Sequence, residues 1–474
     1  MRRAELGELA ILIFVLYIAL RFVNYAIMSR HRVAKMHEWS CEEAPIEKNR
    51  LPLGIDQILQ SLKADRAKAF PPLVLERQKK MGVSTFRTSV LGSEGILTND
   101  PKNIQAILAT QFDHFDLGPL RRLIFFPLLG NGIFTLDGEG WEHSRTMLRP
   151  QFSREQVSDL DLEERHVQNM MRALPVQSNN WTQNLDLQVL FFRLTIDSAT
   201  EFLFGESVSS QLAALPGYQK SSAIGNPQDE TTFATAFNVG QMALATRARF
   251  GEFYWAVNPK GFKQACRDCH AFIDYFVQLA LTRHKSGALS RPDNLQSEGK
   301  GRYIFLEALA AQSQDPVELR SQLLNILLAG RDTTASLLGW LFYSLARSPS
   351  HYKKLREVVI GEFGEYSSSG PENITFAKLK SCRYLQHCLK EALRLYPVVP
   401  INTRTATRDT VLPRGGGLDG KSKVFVPKGM SVDYCVYAMH RDPEYWGNDA
   451  EEFKPERWEG RRPGWEFLPV SLAL

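Results

Sequence analysis

Cysteine is scarce in this chain: six residues in 474, namely Cys41, Cys266, Cys269, Cys382, Cys388 and Cys435. So few in so long a chain exclude a disulfide framework and point to a reducing compartment for the body. An excess of one charge is missing too, because 57 Lys and Arg face 52 Asp and Glu and leave only +5. The two signs are interspersed rather than gathered in runs, which argues against a nucleic-acid-binding surface. No repeat of roughly 20 to 50 residues recurs and no linker separates two halves, so solenoids and strings of modules are excluded. What is left is one large domain behind a short tail. Its composition, 44% hydrophobic and 23% charged, is ordinary for a globular body able to bury a large core.

Long hydrophobic runs are absent with one exception. Leu9 to Leu20, LAILIFVLYIAL, is uninterrupted, and it continues through Phe22, Val23 and Tyr25 to Met28 with only Arg21 and Asn24 between. That is about 20 residues, enough to span a bilayer if Arg21 snorkels to the interface. No small-x-small cleavage site follows, which argues against a signal peptide. Arg30, Arg32 and Lys35 after the run outweigh Arg2 and Arg3 before it, which favours a cytosolic body. Residues 1–30 therefore read as a membrane anchor, 31–50 as a polar neck and 51–474 as the body.

The body is organised around Asp315 to Ser348, DPVELRSQLLNILLAGRDTTASLLGWLFYSLARS. Asp315 suits an N-cap, Pro316 the first helical position and Pro349 the stop, so the stretch predicts one helix roughly 50 Å long. Apolar residues on nearly every face make it a buried helix. Its centre breaks that pattern: Gly330 costs about 1 kcal/mol against Ala, and Asp332, Thr333 and Thr334 follow it. Burial penalises such groups without partners. Either Asp332 meets an Arg and the threonines bond back to carbonyls a turn earlier, or an acid and an alcohol stand beside a bound group to pass protons.

Other signals are weaker alone. Phe86 to Val90 and Gly95 to Thr98 read as strands, and Asp100-Pro101 opens a helix through Leu108. The segment from Phe112 to Phe134 is aromatic and rich in Gly and Pro, with the chemistry of a pocket-lining loop. In the helix opened by Gly138, Trp141 and Arg145 are four apart and share a face, either as an ordinary amphipathic pair or as two donors for a carboxylate or phosphate. Helical patterns follow from Ser153 to Met171 and from Leu185 to Phe204, and Pro216 to Thr232 reads as an irregular connection. Cys266, Cys269 and His270 have the spacing of c-type haem attachment, but both thiols fall on an apolar helical stripe with Phe262, Ile273, Phe276, Val277 and Ala280, which favours core cysteines. Later come helices His351 to Phe363 and Tyr384 to Tyr396, with Glu391 and Arg394 three apart on the second. A turn at Ser367 to Pro371 separates them. Val398 to Arg404, Val424 to Val426 and Ser431 to Val436 read as strands, before Phe453-Lys454-Pro455-Glu456-Arg457-Trp458.

Four of these phrases occur in a fixed order: Trp-x-x-x-Arg at Trp141 and Arg145, Ala-Gly-x-Asp-Thr-Thr from Ala329 to Thr334, Glu-x-x-Arg at Glu391 and Arg394, and Pro-Glu-Arg-Trp from Pro455 to Trp458. In this the chain resembles the cytochrome P-450 (haem-thiolate monooxygenase) family over essentially its whole length. The resemblance implies a mainly α fold with small β-sheets and a long central helix, haem b as cofactor, and electrons from NADPH through a flavoprotein reductase. Trp141, Arg145 and Arg404 would hold the haem propionates, Ala329 and Gly330 would lie against the haem with the helix bent at Gly330, and Glu391, Arg394 and Arg457 would form a buried charge triad. Thr333 would hydrogen-bond the oxygen being activated and Asp332 would feed in protons. Within the family the wording looks most like the fungal enzymes that hydroxylate n-alkanes and fatty acids near the chain end, in the endoplasmic reticulum membrane. Substrate contacts would come from Phe112 to Phe134, the helices between Phe191 and Phe253, and Val398 to Ile401.

The resemblance departs in one place. The family carries its iron-ligating cysteine in a Phe-x-x-Gly-x-x-x-Cys-x-Gly loop, of which Glu466-Phe467-Leu468-Pro469 looks like the lead-in, and no cysteine follows Cys435 here. The axial cysteine and last helix are therefore expected beyond Leu474, and the thiolate that favours O–O cleavage is missing from the chain as written. Three readings stay open: a monooxygenase acting on an alkane, a fatty acid or a secondary metabolite; a non-catalytic remnant; and a c-type haem electron carrier using Cys266, Cys269 and His270.

Overall fold

The computed structural model describes residues 29–153, 158–217, 230–285, 303–365 and 374–469, with Leu16 and Ile27 besides. The N-terminal run is outside this set but for those two residues, as are the turn at Ser367 to Pro371, the last five residues and most of the connection after Pro216. Among the described residues no helix is long and apolar enough to cross a membrane.

The chain divides into two compact units. The smaller takes in Leu73–Asp116 and Thr403–Cys435 together with residues up to Gln57. Its strands are far apart in sequence, which is why no linker betrays the division. A five-stranded sheet runs in the order β1 (Thr85–Val90), β2 (Ser93–Thr98), β7 (Ser431–Cys435), β4 (Ile401–Ala406), β3 (Phe115–Asp116), and β5 (Thr410–Gly416) pairs separately with β6 (Ser422–Val426). β1 and β2 form an antiparallel hairpin, whereas β2 and β7 pair in parallel with Ile96 opposite Val432. Ile96, Leu412, Val424, Val426 and Val432 form the core of this unit. Asp100 caps the short helix α1 (Pro101–Gln105) through the amides of Lys102 and Asn103.

The larger unit is helical. In chain order it contains α2 (Pro119–Leu129), α3 (Gly138–Leu148), α4 (Leu160–Arg172), α5 (Leu187–Phe204), α6 (Glu230–Arg249), α7 (Phe262–Lys285), α8 (Pro316–Arg347), α9 (Pro349–Phe363) and α10 (Arg383–Leu395). α8 is the expected central helix, and the Asp315 carboxylate accepts from the Val317 amide at 2.8 Å as its N-cap. It is one continuous helix, so the bend expected at Gly330 is not a break in it. Nor is every face covered: Trp340, Phe342 and Tyr343 are 40% to 46% exposed.

The stretch from Phe112 to Phe134 is not the loop its Gly and Pro content predicts, because its middle is the helix α2. Pro119 sits at the first helical position, where its missing N–H costs nothing, and the Asp137 carboxylate takes the Leu117 and Gly118 amides at 2.7 and 3.0 Å just before it. Ile124, Leu128 and Leu129 bury the inner face. After α2 the chain passes tight against α8. Asn325, fully buried, accepts from the Phe134 amide at 3.0 Å and donates to the Leu129 carbonyl at 3.1 Å. A Cβ at Gly132 would collide with that amide group, so a side chain there would displace Asn325. Within the stretch expected to be helical from Ser153 to Met171, the described residues form α4 from Leu160, where the Asp159 carboxylate accepts from the Leu162 amide. α7 confirms the core reading of the two neighbouring cysteines: Cys266 and Cys269 lie in the main core with Phe272, Phe276 and Leu323.

Candidate active site

The middle of α8 opens on a cavity of about 1060 Å³ in the larger unit. Ala329, Gly330, Asp332, Thr333 and Thr334 all line it, and an added Cβ at Gly330 would meet nothing within 4 Å. The residues that break the helix pattern in the sequence are thus the ones that face open space. Each stretch expected to touch substrate also contributes to the lining: Phe125 and Phe134 from the α2 region, Phe191, Phe202 and Gln241 from α5 and α6, and Val398 and Val399 before β4.

The α4 wall lies outside the expected substrate stretches, and Arg121 and Gln241 lie within them without a mark of their own. Leu162, Glu163, Val167 and Met170 of α4 line the cavity, and their spacing of three to four is that of any amphipathic helix. Arg121 lines it too. Its Nε donates to the Phe134 carbonyl at 3.1 Å and its Nη1 to Asn402 Oδ1 at 2.8 Å. An arginine pair, Arg121-Arg122, inside an aromatic segment was the available signal. Gln241 reaches Asp332 from α6, and no local pattern marks it.

Asp332 and Thr333 have local partners. The Thr333 hydroxyl donates to the Ala329 carbonyl at 2.7 Å, and Asp332 Oδ1 accepts from Arg331 Nη1 at 3.1 Å. These are the two contacts that a purely structural role requires, so the open cavity, not the bonding, separates this site from an ordinary buried pair. The Asp332 side chain is 28% exposed, that of Arg331 only 3%. Burial pushes the Asp332 carboxyl above the usual carboxylate range, against the Arg331 charge and a hydrogen bond from Gln241. Burial likewise draws the Arg331 guanidinium down, with Asp332 opposing. Both shifts say that desolvation outweighs the pairing.

Trp141 and Arg145 stand together one turn apart on α3, the guanidinium 5.2 Å from the indole centroid. Neither is among the residues that line the cavity. Arg404 belongs to the smaller unit, is buried, and donates through Nη1 to the Thr403 carbonyl at 2.9 Å. Glu391, Arg394 and Arg457 meet. Arg394 grips both Glu391 oxygens at 2.9 Å each, and Arg457 Nε reaches Glu391 Oε1 at 3.2 Å.

None of the six cysteines lines the cavity, and all six are buried. Burial pushes the Cys266 thiol up to about 11 and the Cys269 and Cys388 thiols upward as well. These are core thiols, not exposed nucleophiles. The His270 Nε2 donates to the Leu128 carbonyl at 2.9 Å. The c-type attachment reading has no support in this geometry.

The family model for cytochrome P450 matches residues 57–469. Cytochrome P450 monooxygenase g430 of Fusarium sp is 56% identical over 457 residues, which cover 96% of this chain and 79% of that protein. Cytochrome P450 monooxygenase alt2 of Alternaria solani is 43% identical, covering 98% and 87%. Cytochrome P450 52A12 of Debaryomyces hansenii is 46% identical, covering 92% and 82%.

Proposed function

The chain belongs to the cytochrome P450 family, and from that membership we propose that it hydroxylates an n-alkane or fatty acid at or near the chain end, with Asp332 and Thr333 carrying protons to the reacting oxygen. The family uses haem b, electrons from NADPH through a reductase partner, and a small-molecule substrate. The carrying observation is the aromatic and aliphatic cavity onto which the acid, the alcohol and the bare backbone of Gly330 open together. A long apolar chain suits such walls by area burial.

The α8 part of the site has the form a haem would need, while Trp141 and Arg145 lie outside the cavity lining. Gly330 leaves room against the helix that a side chain would fill, and Trp141 and Arg145 on α3 are donors of the kind that carboxylates take. Ala329, Gly330 and Thr333 would lie against the haem, with Trp141 and Arg145 toward a propionate. When bound, the haem supplies the activation of O₂: one atom enters the C–H bond, the other leaves as water, and two electrons and two protons are consumed. This chain's residues supply the protons. The Asp332 carboxyl, raised by burial, can hold a proton at neutral pH more readily than an exposed carboxylate. The Thr333 hydroxyl, now committed to the Ala329 carbonyl, presents its lone pairs as acceptors and must turn from that carbonyl to donate. The apolar walls exclude the water that would leak protons elsewhere.

The test is binding and product analysis with the haem-loaded full chain against a chain-length series of alkanes and fatty acids. Terminal or near-terminal alcohols support the reading. Turnover of polycyclic or aromatic metabolites alone, with no fatty-acid binding, replaces it with tailoring chemistry. Thr333→Ala should lower product formed per NADPH by on the order of 10²-fold while haem content stays constant.

A further inference from the structure

We propose that Arg331 is a positioning residue for proton delivery, which clamps the Asp332 carboxylate toward α6 so that Asn238 and Gln241 govern its ionisation. The proposal rests on the relay role given to Asp332 above.

Arg331 is buried almost completely, yet it is not anchored as a buried guanidinium ordinarily is. Its Nη1 is shared between Asn238 Oδ1 at 2.9 Å and Asp332 Oδ1 at 3.1 Å, and its Nε has no hydrogen-bond partner among the described residues. The rings of Phe192 on α5 and Phe237 on α6 lie 5.1 and 5.8 Å from its Cζ. The aromatic faces and Asn238 fix where the charge sits. Asp332 is its one acidic partner among the described residues. A charge so placed in low dielectric acts strongly on one neighbour and is little screened.

Asp332, by contrast, keeps an opening to the cavity, and Gln241 of α6 both lines that cavity and hydrogen-bonds the carboxylate. The carboxylate and one of its α6 partners therefore face the same open space. Other titratable groups nearby are few. The Cys269 thiol of α7 lies near Arg331, and Asp159, Glu163 of α4 and Arg121 of α2 line the same cavity. From α6 the facing groups, Asn238 and Gln241, are uncharged. Arg331 is thus the dominant cation on Asp332, and α6 sets its position.

Three variants of the haem-loaded full chain test this, read by infrared titration of the Asp332 carboxyl, assigned with Asp332→Asn as the blank. Arg331→Gln removes the charge and should raise the titration midpoint by about one unit or more. Arg331→Lys keeps a charge without the planar fork and should raise it by less. Asn238→Asp adds a second carboxylate on the same Nη1 and should also raise it. The pH profile of product formed per NADPH should move with the midpoint in each. An unchanged midpoint in Arg331→Gln with an unchanged unfolding temperature overturns the proposal. Should that variant fail to fold, an unchanged midpoint in Asn238→Asp overturns it equally. If Asp332→Asn keeps the wild-type product yield, the relay reading fails while the infrared midpoints still decide the clamp.

Discussion

The buried Glu391 carboxylate takes five polar contacts. Glu391 Oε1 accepts from Arg394 Nη2, Arg457 Nε and the Lys454 amide, and its Oε2 accepts from Arg394 Nε and Trp458 Nε1. Arg394 spends its remaining donors on the carbonyls of His440, Ala450 and Glu452. Glu391 and Arg394 are fully buried. Removing one partner of such a set leaves an uncompensated buried charge, so Glu391→Gln should cost about 3–5 kcal/mol. Urea unfolding of the variant checks it, and a loss below about 1 kcal/mol would mean that the carbonyls alone satisfy the two arginines. His440 sits beside this set, its Nδ1 donating to the Arg394 carbonyl at 3.0 Å and its Nε2 accepting the Leu468 amide at 2.9 Å. Burial holds its pKa down, to about 3. The native state therefore binds this proton less readily than the unfolded chain does. Its contribution is fully present above the ordinary histidine pKa and is lost as pH falls from about 6.5 toward 3. Acid unfolding of the native protein should steepen in that window, and His440→Gln should flatten it. The three charged residues could be picked from their motifs, but nothing in the sequence distinguishes His440 from any other histidine, because its partners are backbone groups brought in by folding.

At the scale of elements, the central helix was legible because each end carries its own chemistry, a capping aspartate with proline after it and a second proline beyond. α2 was not, because Gly118, Pro119, Pro127 and Gly130 read locally as turn residues, and the contacts that make the helix come from Asp137 and α8. The cavity follows the same division. Its α8 wall announced itself by Gly330 and Asp332 breaking an apolar pattern, while its α4 wall looks like any helix face. Gly330 gives this a test. The helix interior should gain about 1 kcal/mol from Gly330→Ala, since the new methyl meets no atom within 4 Å. If the open space is reserved for the cofactor, the variant should unfold no earlier in urea than the parent yet take up haem more weakly. A variant that is both stabilised and fully haem-loaded would show that the opening at Gly330 has another use.

At the scale of the whole molecule, the division into two units escaped the sequence because strands near residues 85–116 pair with strands near 401–435, and a pairing over such a separation leaves no local mark. For the tail, outside the described residues but for Leu16 and Ile27, composition is the only argument. Twenty residues with two polar interruptions match a bilayer's hydrocarbon thickness, and the basic residues gather on the side toward the body. We therefore expect the full chain to remain with microsomal membranes after an alkaline carbonate wash, and the chain without residues 1–28 to be released. If the positive flank keeps the body on the cytosolic side, protease added outside sealed microsomes should then digest it. Release of the full chain by carbonate would show that the run is no span, and protection of the body from protease would reverse its orientation. Either result would also bear on the electron supply, since a reductase in the same membrane can reach a tethered body at a high effective concentration that a released one lacks.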